Sequence, residues 1–245
     1  MPRFWGYISN GQYSIGCTGQ TVYVYDSKGT ELAKFKDIKY GYTPLFSPNG
    51  EKFVVKSTEG RLAIYSLTEM RLLKKFRFTK DDGGQDYNMC FSPDGTLFYN
   101  VEVHPKPGKP GRITFSIGIY ETDNFTLLKH LFLNDTAIDP IAVEWDTESN
   151  TLYILAKYKQ EDEHNSAVVA ILEEGTLCDP YRISKKEYEF YRGYLHTAGM
   201  GFTKQSKEWS SLKYLGYDLD KVQSESHALS ELWLKHALLE HAKGN

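Results

Sequence analysis

Short apolar runs separated by turn-forming residues fill the chain up to about residue 183. Runs such as 13–17, 53–56 and 97–103 are rich in β-branched and aromatic side chains, which favour half-buried strands. Gly, Asn, Asp and Pro lie between these runs and supply the turns. The pattern predicts a mainly β structure for this part of the chain.

The strand pattern recurs four times. Leu45–Gly50 reads Leu-Phe-Ser-Pro-Asn-Gly and Cys90–Gly95 reads Cys-Phe-Ser-Pro-Asp-Gly, each directly before an apolar run. Ile8–Gly11 and Val143–Asn150 occupy the equivalent places in the first and fourth copies. Measured between the last residues of these four segments, the spacings are 39, 45 and 55 residues. Each copy predicts four short strands joined by turns.

These periods match propeller blades of roughly 40 to 50 residues. The Phe-Ser-Pro-Asp/Asn-Gly turn that leads into an apolar strand resembles the repeats of WD40-like and YVTN-like β-propellers, over about residues 4–183. The sequence departs from that pattern because Trp145-Asp146 occupies a turn and no Gly-His pair opens a blade. The resemblance implies a small β-propeller of about four four-stranded blades, and it implies no activity. Two alternatives stay open: half-rings from two chains that combine, and an immunoglobulin-like sandwich.

The pattern changes period at Ser184. Ser184–Glu187 fits a capping box, which predicts the start of a helix. We therefore predict β-propeller repeats over 1–183 and a helical C-terminal extension over 184–245. An apolar stripe at helical spacing in the last helix consists of Leu229, Leu232, Trp233 and Leu239. This stripe either packs on the rest of the chain or forms a self-association or partner interface.

Composition narrows the classes of function. The chain has a net charge of -3 with its basic residues spread out, so we expect no nucleic-acid binding. The N-terminus lacks the apolar stretch of a signal peptide and no segment approaches a membrane span, which indicates a cytoplasmic protein without membrane contact. The three cysteines are odd in number and far apart, so neither a disulfide framework nor a CxxC metal site is predicted.

Motifs for catalysis and for metal binding are missing from the sequence. It contains no Gly-x-Ser-x-Gly elbow, Walker loop or His-Glu-x-x-His. The seven histidines are scattered, and His236 and His241 would lie about 140° apart around a helix. The acidic loop Asp81–Asp86 lacks the spacing of an EF-hand. We therefore predict no cofactor and no metal site, and we interpret the histidines as surface imidazoles.

Irregular sequence collects on one rim of the predicted propeller. The connections between second and third strands share a rim with the crossovers between blades, and long loops on a rigid scaffold are where binding usually occurs. The candidate ligand-binding residues on this rim are Tyr40, Tyr42, Asp82, Asp86, Tyr87, His104, Lys106, Lys109 and Arg112. The cations suit an acidic partner and the tyrosines offer aromatic contacts. Alternatively, the Pro and Lys residues only end strands and protect sheet edges.

The sequence favours a noncatalytic binding or scaffolding module that presents these loops to a protein or peptide partner. The alternative is a metal-dependent propeller hydrolase or lyase, lactonase-like, with rim carboxylates in the central channel. A structural subunit of a larger complex is a third interpretation. A homodimer, formed through the C-terminal helix or through ring completion, also stays open.

Overall fold

The structure is a computed structural model that describes most of the first three quarters of the chain. The described residues are 4, 6–78, 89–105, 108, 113–133, 138–158, 167–173 and 176–184. The predicted helical extension beyond Ser184, with Leu229, Leu232, Trp233 and Leu239, lies outside these residues. So do six of the predicted rim residues, namely Asp82, Asp86, Tyr87, Lys106, Lys109 and Arg112.

Within the described ranges, the chain forms sixteen strands. The first eight are β1 (Gly6–Ser9), β2 (Tyr13–Cys17), β3 (Val22–Asp26), β4 (Glu31–Phe35), β5 (Gly41–Phe46), β6 (Lys52–Ser57), β7 (Arg61–Ser66) and β8 (Arg71–Arg77). The remaining eight are β9 (Met89–Phe91), β10 (Leu97–Pro105), β11 (Ile113–Glu121), β12 (Thr126–Leu131), β13 (Ile138–Asp146), β14 (Thr151–Tyr158), β15 (Ala167–Glu173) and β16 (Thr176–Ile183). No helix in the described part of the chain has the length and apolar character needed to cross a membrane.

Each run of four consecutive strands forms one antiparallel sheet in chain order. The four sheets are blade 1 (β1–β4), blade 2 (β5–β8), blade 3 (β9–β12) and blade 4 (β13–β16). The first strands of neighbouring blades pack together, as β1 does with β5 and β9 with β13. The prediction of a mainly β propeller of four four-stranded blades is confirmed.

The hydrophobic core lies between consecutive blades. Ile15 and Val24 of blade 1 pack in one cluster with Val55 and Tyr65 of blade 2. Val54, the neighbour of Val55 in β6, belongs instead to the cluster with blade 3. Successive side chains of a strand point to opposite faces, so a blade that is buried on both faces needs apolar residues at consecutive positions. This requirement explains why the middle strands are apolar runs and not alternating patterns.

The turns that revealed the repeats are built alike. The amide of Gly50 donates a hydrogen bond of 2.9 Å to the Ser47 carbonyl, and Gly95 makes the same 2.9 Å bond to Ser92. The φ angles of Gly50 and Gly95 are 70° and 72°, in the left-handed region where a glycine costs little. Asn150 takes this position in blade 4 with φ of 52°, and Asn is among the residues that tolerate it.

A register shift recurs between the third and fourth strands of every blade. It lies at Val24/Tyr25, Ile64/Tyr65, Ile119/Tyr120 and Val169/Ile171. Such β-bulges bend a strand and increase its local twist. The outer strand of each blade is therefore turned relative to the three inner ones.

Candidate functional site on the long-loop rim

The two rims of the propeller differ in the length of their connections. On one rim, between the described strands, no connection exceeds five residues; we call this the short-turn rim. The other, the long-loop rim, has the connections 18–21, 36–40, 58–60, 78–88, 106–112, 132–137 and 159–166. The long-loop rim therefore receives all the longer connections.

The crossover 36–40 ties blades 1 and 2 together at this rim. The amide of Tyr40 donates to the Gly19 carbonyl at 2.5 Å, and the Tyr40 carbonyl accepts from the amide of Thr58 at 3.1 Å. The Ser57 hydroxyl donates to the Lys39 carbonyl at 2.6 Å. These bonds fix the crossover between the rim hairpins of both blades.

Two predicted rim residues lie beside this crossover. Tyr40 is 42% exposed, which makes it an aromatic residue that a partner can reach. Tyr42 is half-buried, and its ring lies close to Gly19. Tyr40 is thus presented outward, while Tyr42 packs mainly within the rim.

A cluster of ionisable side chains lies where blade 3 meets the long-loop rim. His104, near the end of β10, faces Glu102 of the same strand and His130 of β12. Glu102 Oε2 lies 2.9 Å from His130 Nε2 and 3.5 Å from His104 Nε2. The two imidazole rings are 4.8 Å apart between centroids. We call Glu102, His104 and His130 the Glu–His–His cluster.

The sheet register brings the cluster together. Asn100, Glu102 and His104 alternate along β10 and share one face. Glu102 pairs with Ser116 of β11, while Gly118 pairs with Asn100 on one side and with His130 on the other. The Ser116 hydroxyl lies 2.7 Å from His104 Nε2.

The carboxylate of Glu102 is fully buried and held in place. Its Oε1 atom accepts hydrogen bonds from the Tyr120 hydroxyl at 2.5 Å and from the Asn100 amide nitrogen at 3.0 Å. A Cβ atom at Gly118 would lie 2.2 Å from the same oxygen, so a glycine is needed there to make room. Three neighbours therefore orient Oε2 toward the two imidazoles.

Electrostatics distinguish the members of the cluster. Burial is the main cause that lowers the pKa of His104, and the nearby His130 lowers it further against the raising effect of Glu102. The hydrogen bond to Glu102 raises the pKa of His130. Burial, reinforced by Glu102, raises the pKa of the Tyr120 phenol. At neutral pH, Tyr120 is therefore a hydrogen-bond donor to the carboxylate, and His104 favours its neutral form.

Exposure increases from the carboxylate outward. The side chains of Glu102, His104 and His130 are 0%, 17% and 29% exposed. Phe132, which begins the crossover to blade 4, is 49% exposed, and its ring lies 5.8 Å from that of His104. Solvent therefore reaches the cluster from the side of the imidazoles.

A buried lysine joins blades 2 and 3. Lys56 of β6 is 1% exposed and its Nζ donates a hydrogen bond of 2.7 Å to the Val101 carbonyl. The Phe78 ring lies 5.3 Å from the same nitrogen. Val101, whose carbonyl accepts the bond from Lys56, directly follows Asn100, and Asn100 is the last residue of β10 that pairs with β9. The lysine thus supplies a donor where that ladder stops.

On the short-turn rim, a polar cleft of about 520 Å³ lies between blades 2 and 3. Several of its polar side chains are already engaged by the turns around it. Lys52 Nζ donates to the Thr122 carbonyl at 3.1 Å, and Thr122 Oγ1 donates to the Gly95 carbonyl at 2.5 Å. The carboxylate of Asp94 accepts from Ser92 at 2.6 Å. We therefore interpret this cleft as a feature of the surrounding turns and not as a candidate binding site.

The rim residues predicted from the sequence include His104 but neither Glu102 nor His130. The prediction that the histidines are surface imidazoles is wrong for His104 and His130, which meet around one buried carboxylate. The signal that was available is the alternation of Asn100, Glu102 and His104 within an otherwise apolar strand. Polar side chains on one face of a buried strand require a polar partner, and here His130 of β12 is that partner.

Comparisons with known proteins add information on the fold. No protein-family model matches the chain, and no curated protein matches it. Among solved structures, hydrazine synthase from Kuenenia stuttgartiensis is similar, with a TM-score of 0.58 and 14% sequence identity. The match covers 76% of this chain and 50% of that chain. At this identity the similarity concerns the fold alone.

Proposed function

We propose that the protein is a noncatalytic binding module that receives an acidic protein or peptide segment on its long-loop rim. One observation carries the proposal: every connection longer than five residues between the described strands falls on this rim. Rigid scaffolds that carry long connections on one side typically bind there. The Phe-Ser-Pro-Asp/Asn-Gly turns support a WD40-like origin of the blades as part of the same proposal.

The chemistry of the rim favours an acidic segment with apolar side chains. Lys106, Lys109 and Arg112 belong to the connection 106–112. Among the described rim residues, Tyr40 and Phe132 are exposed aromatic side chains. Aromatic and cationic groups together are typical of protein-binding surfaces.

Among the first strands of the four blades, carboxylates come from one blade alone. The alternative function, a metal-dependent hydrolase or lyase, needs rim carboxylates in the central channel, and the first strand of each blade would line that channel. Strands β1, β5 and β9 contain none, and only β13 carries them, at Asp139, Glu144 and Asp146. A ring of carboxylates from several blades is therefore missing from these four strands.

The proposal is tested by selecting ligands from a library of displayed random peptides. Selected peptides should be enriched in Asp and Glu, and their binding should weaken with added salt. Exposed ion pairs contribute about 0.2–1 kcal/mol each, so Lys106→Ala/Lys109→Ala should bind about two- to thirtyfold more weakly.

The matched control is Lys28→Ala/Arg71→Ala, which removes the same charge from the short-turn rim. It should bind the selected peptides like the unmodified protein. Selected peptides that are neutral, or equal loss of binding in both double variants, would reject the long-loop rim as the binding surface.

A further inference from the structure

We infer that the Glu–His–His cluster is a binding site for a divalent transition-metal ion of the zinc class. The ligands are Nε2 of His104, Nε2 of His130 and Oε2 of Glu102. Within the part of the chain that the structure describes, these residues offer ligand atoms that all lie within 4.8 Å of one another. The inference goes beyond the proposed function, because a metal ion is a different ligand from an acidic peptide and binds through a buried carboxylate.

Two of the three distances between the ligand atoms suit such an ion. Zinc bonds to nitrogen and oxygen are about 2.0–2.2 Å long, which sets tetrahedral ligand atoms roughly 3.4 Å apart. The two nitrogen-to-Oε2 distances, 2.9 Å for His130 and 3.5 Å for His104, lie on either side of this value. The contact of His104 Nε2 with the Ser116 hydroxyl would give way to the metal bond.

The carboxylate is prepared in the way that metal ligands usually are. Tyr120 and Asn100 hold the Oε1 atom, so that Oε2 points to the imidazoles. Gly118 leaves the space that the carboxylate needs. Neighbours that orient a ligand are typical of metal sites, because they fix its direction before the ion arrives.

A simple ion pair between Glu102 and one histidine would explain only part of this arrangement. One imidazole is enough to partner a buried carboxylate, and His130 already does so at 2.9 Å. The second imidazole, His104, approaches the same oxygen and lies 4.8 Å from the first ring. Two imidazoles converging on one carboxylate oxygen form the ligand set of His₂-carboxylate metal sites.

The ligand types select the class of ion. Imidazole nitrogens suit zinc and its transition-metal neighbours, whereas calcium and magnesium prefer sites made of oxygen ligands. Three protein ligands leave a further position for water or another ligand. The partly exposed imidazoles give the ion a route from solvent.

The experiment uses the full chain without an affinity tag, after treatment with a chelator. Titration calorimetry with Zn²⁺ should show one ion bound per chain, and Co²⁺ should give the visible absorption of a four- or five-coordinate site.

Glu102→Gln and His130→Gln should each weaken Zn²⁺ binding by more than about 100-fold, because each removes a ligand. Tyr120→Phe keeps all ligands and loses only an orienting bond, so a loss of about 10- to 100-fold is expected.

Glu31→Gln is the matched control for Glu102→Gln, since it neutralises an exposed carboxylate of β4 in blade 1 and should bind Zn²⁺ like the unmodified chain. Circular dichroism without metal verifies that each variant is folded, and His104→Gln replaces any variant that is not. The inference is overturned if the unmodified chain does not bind Zn²⁺, or if the His104→Gln/His130→Gln variant still binds it. It is also overturned if Zn²⁺ leaves the thermal stability of the unmodified chain unchanged while His130→Gln lowers that stability without metal.

Discussion

Gly118 leaves open the space that the carboxylate of Glu102 occupies. A methyl group on residue 118 would lie 2.2 Å from Glu102 Oε1, and Glu102 is fully buried, so the carboxylate has little room to move. Gly118→Ala should therefore lower the free energy of unfolding by about 1–3 kcal/mol, the usual cost of overpacking. Urea denaturation measures this loss.

A double-mutant cycle identifies the source of that loss. If the methyl group collides with the carboxylate, Gly118→Ala should cost less in a Glu102→Ala background. A penalty of the same size in both backgrounds would assign the strain to the Tyr120 ring, which is the other close neighbour.

Lys56 holds blades 2 and 3 together through its bond to the Val101 carbonyl. Lys56→Met keeps most of the length of the side chain but removes the donor, and an unsatisfied buried carbonyl costs about 1–3 kcal/mol. We expect a loss of unfolding free energy in this range, measured by urea denaturation. Lys28→Met, on an exposed turn, should change it little. A gain in stability for Lys56→Met would mean that dehydration of the buried ammonium outweighs its bonds.

The stabilisation that the Glu121 carboxylate provides should be lost in acid. The pKa of Glu121 falls to about 2, chiefly because the Thr126 side chain and then the backbone amide of Asn124 donate hydrogen bonds to the carboxylate. An unfolded glutamate titrates near about 4.3, so this stabilisation is present above that pH and is lost as the pH falls through about 2. Glu121→Gln should lower the thermal midpoint at neutral pH, and the difference should shrink as the pH falls below about 4.

Thermal unfolding followed by circular dichroism across this pH range tests the prediction. Glu31→Gln is the control, because the ion pair of Glu31 with Lys34 is exposed and contributes little. A difference between Glu121→Gln and the unmodified protein that stays constant with pH would show that the turn does not depend on the carboxylate charge.

The blades could be predicted from the sequence because the turns carry a local signal. The left-handed residue that ends these turns favours Gly or Asn, and this preference is visible at Gly50, Gly95 and Asn150. Apolar runs on both sides of each turn then give the strands. Both signals depend only on residues that are close in sequence.

The Glu–His–His cluster depends on residues far apart in sequence. His130 meets Glu102 only because Gly118 of β11 pairs with both Asn100 and His130. A bulge between Ile119 and Tyr120 shifts the pairing of β12, so strand positions alone do not give the register. The sequence therefore indicated His104 as a rim residue but not its partners.

The recurring bulges and the composition of the outer strands have a consequence for association between molecules. The outer edge of each blade is twisted by its bulge, and these strands carry Lys34, Lys74, Lys75, Lys129 and Pro180. Charged and proline-containing edges are poor templates for a further strand. The outer edges of the four described blades are therefore poorly suited to joining sheet to sheet with another molecule of this protein.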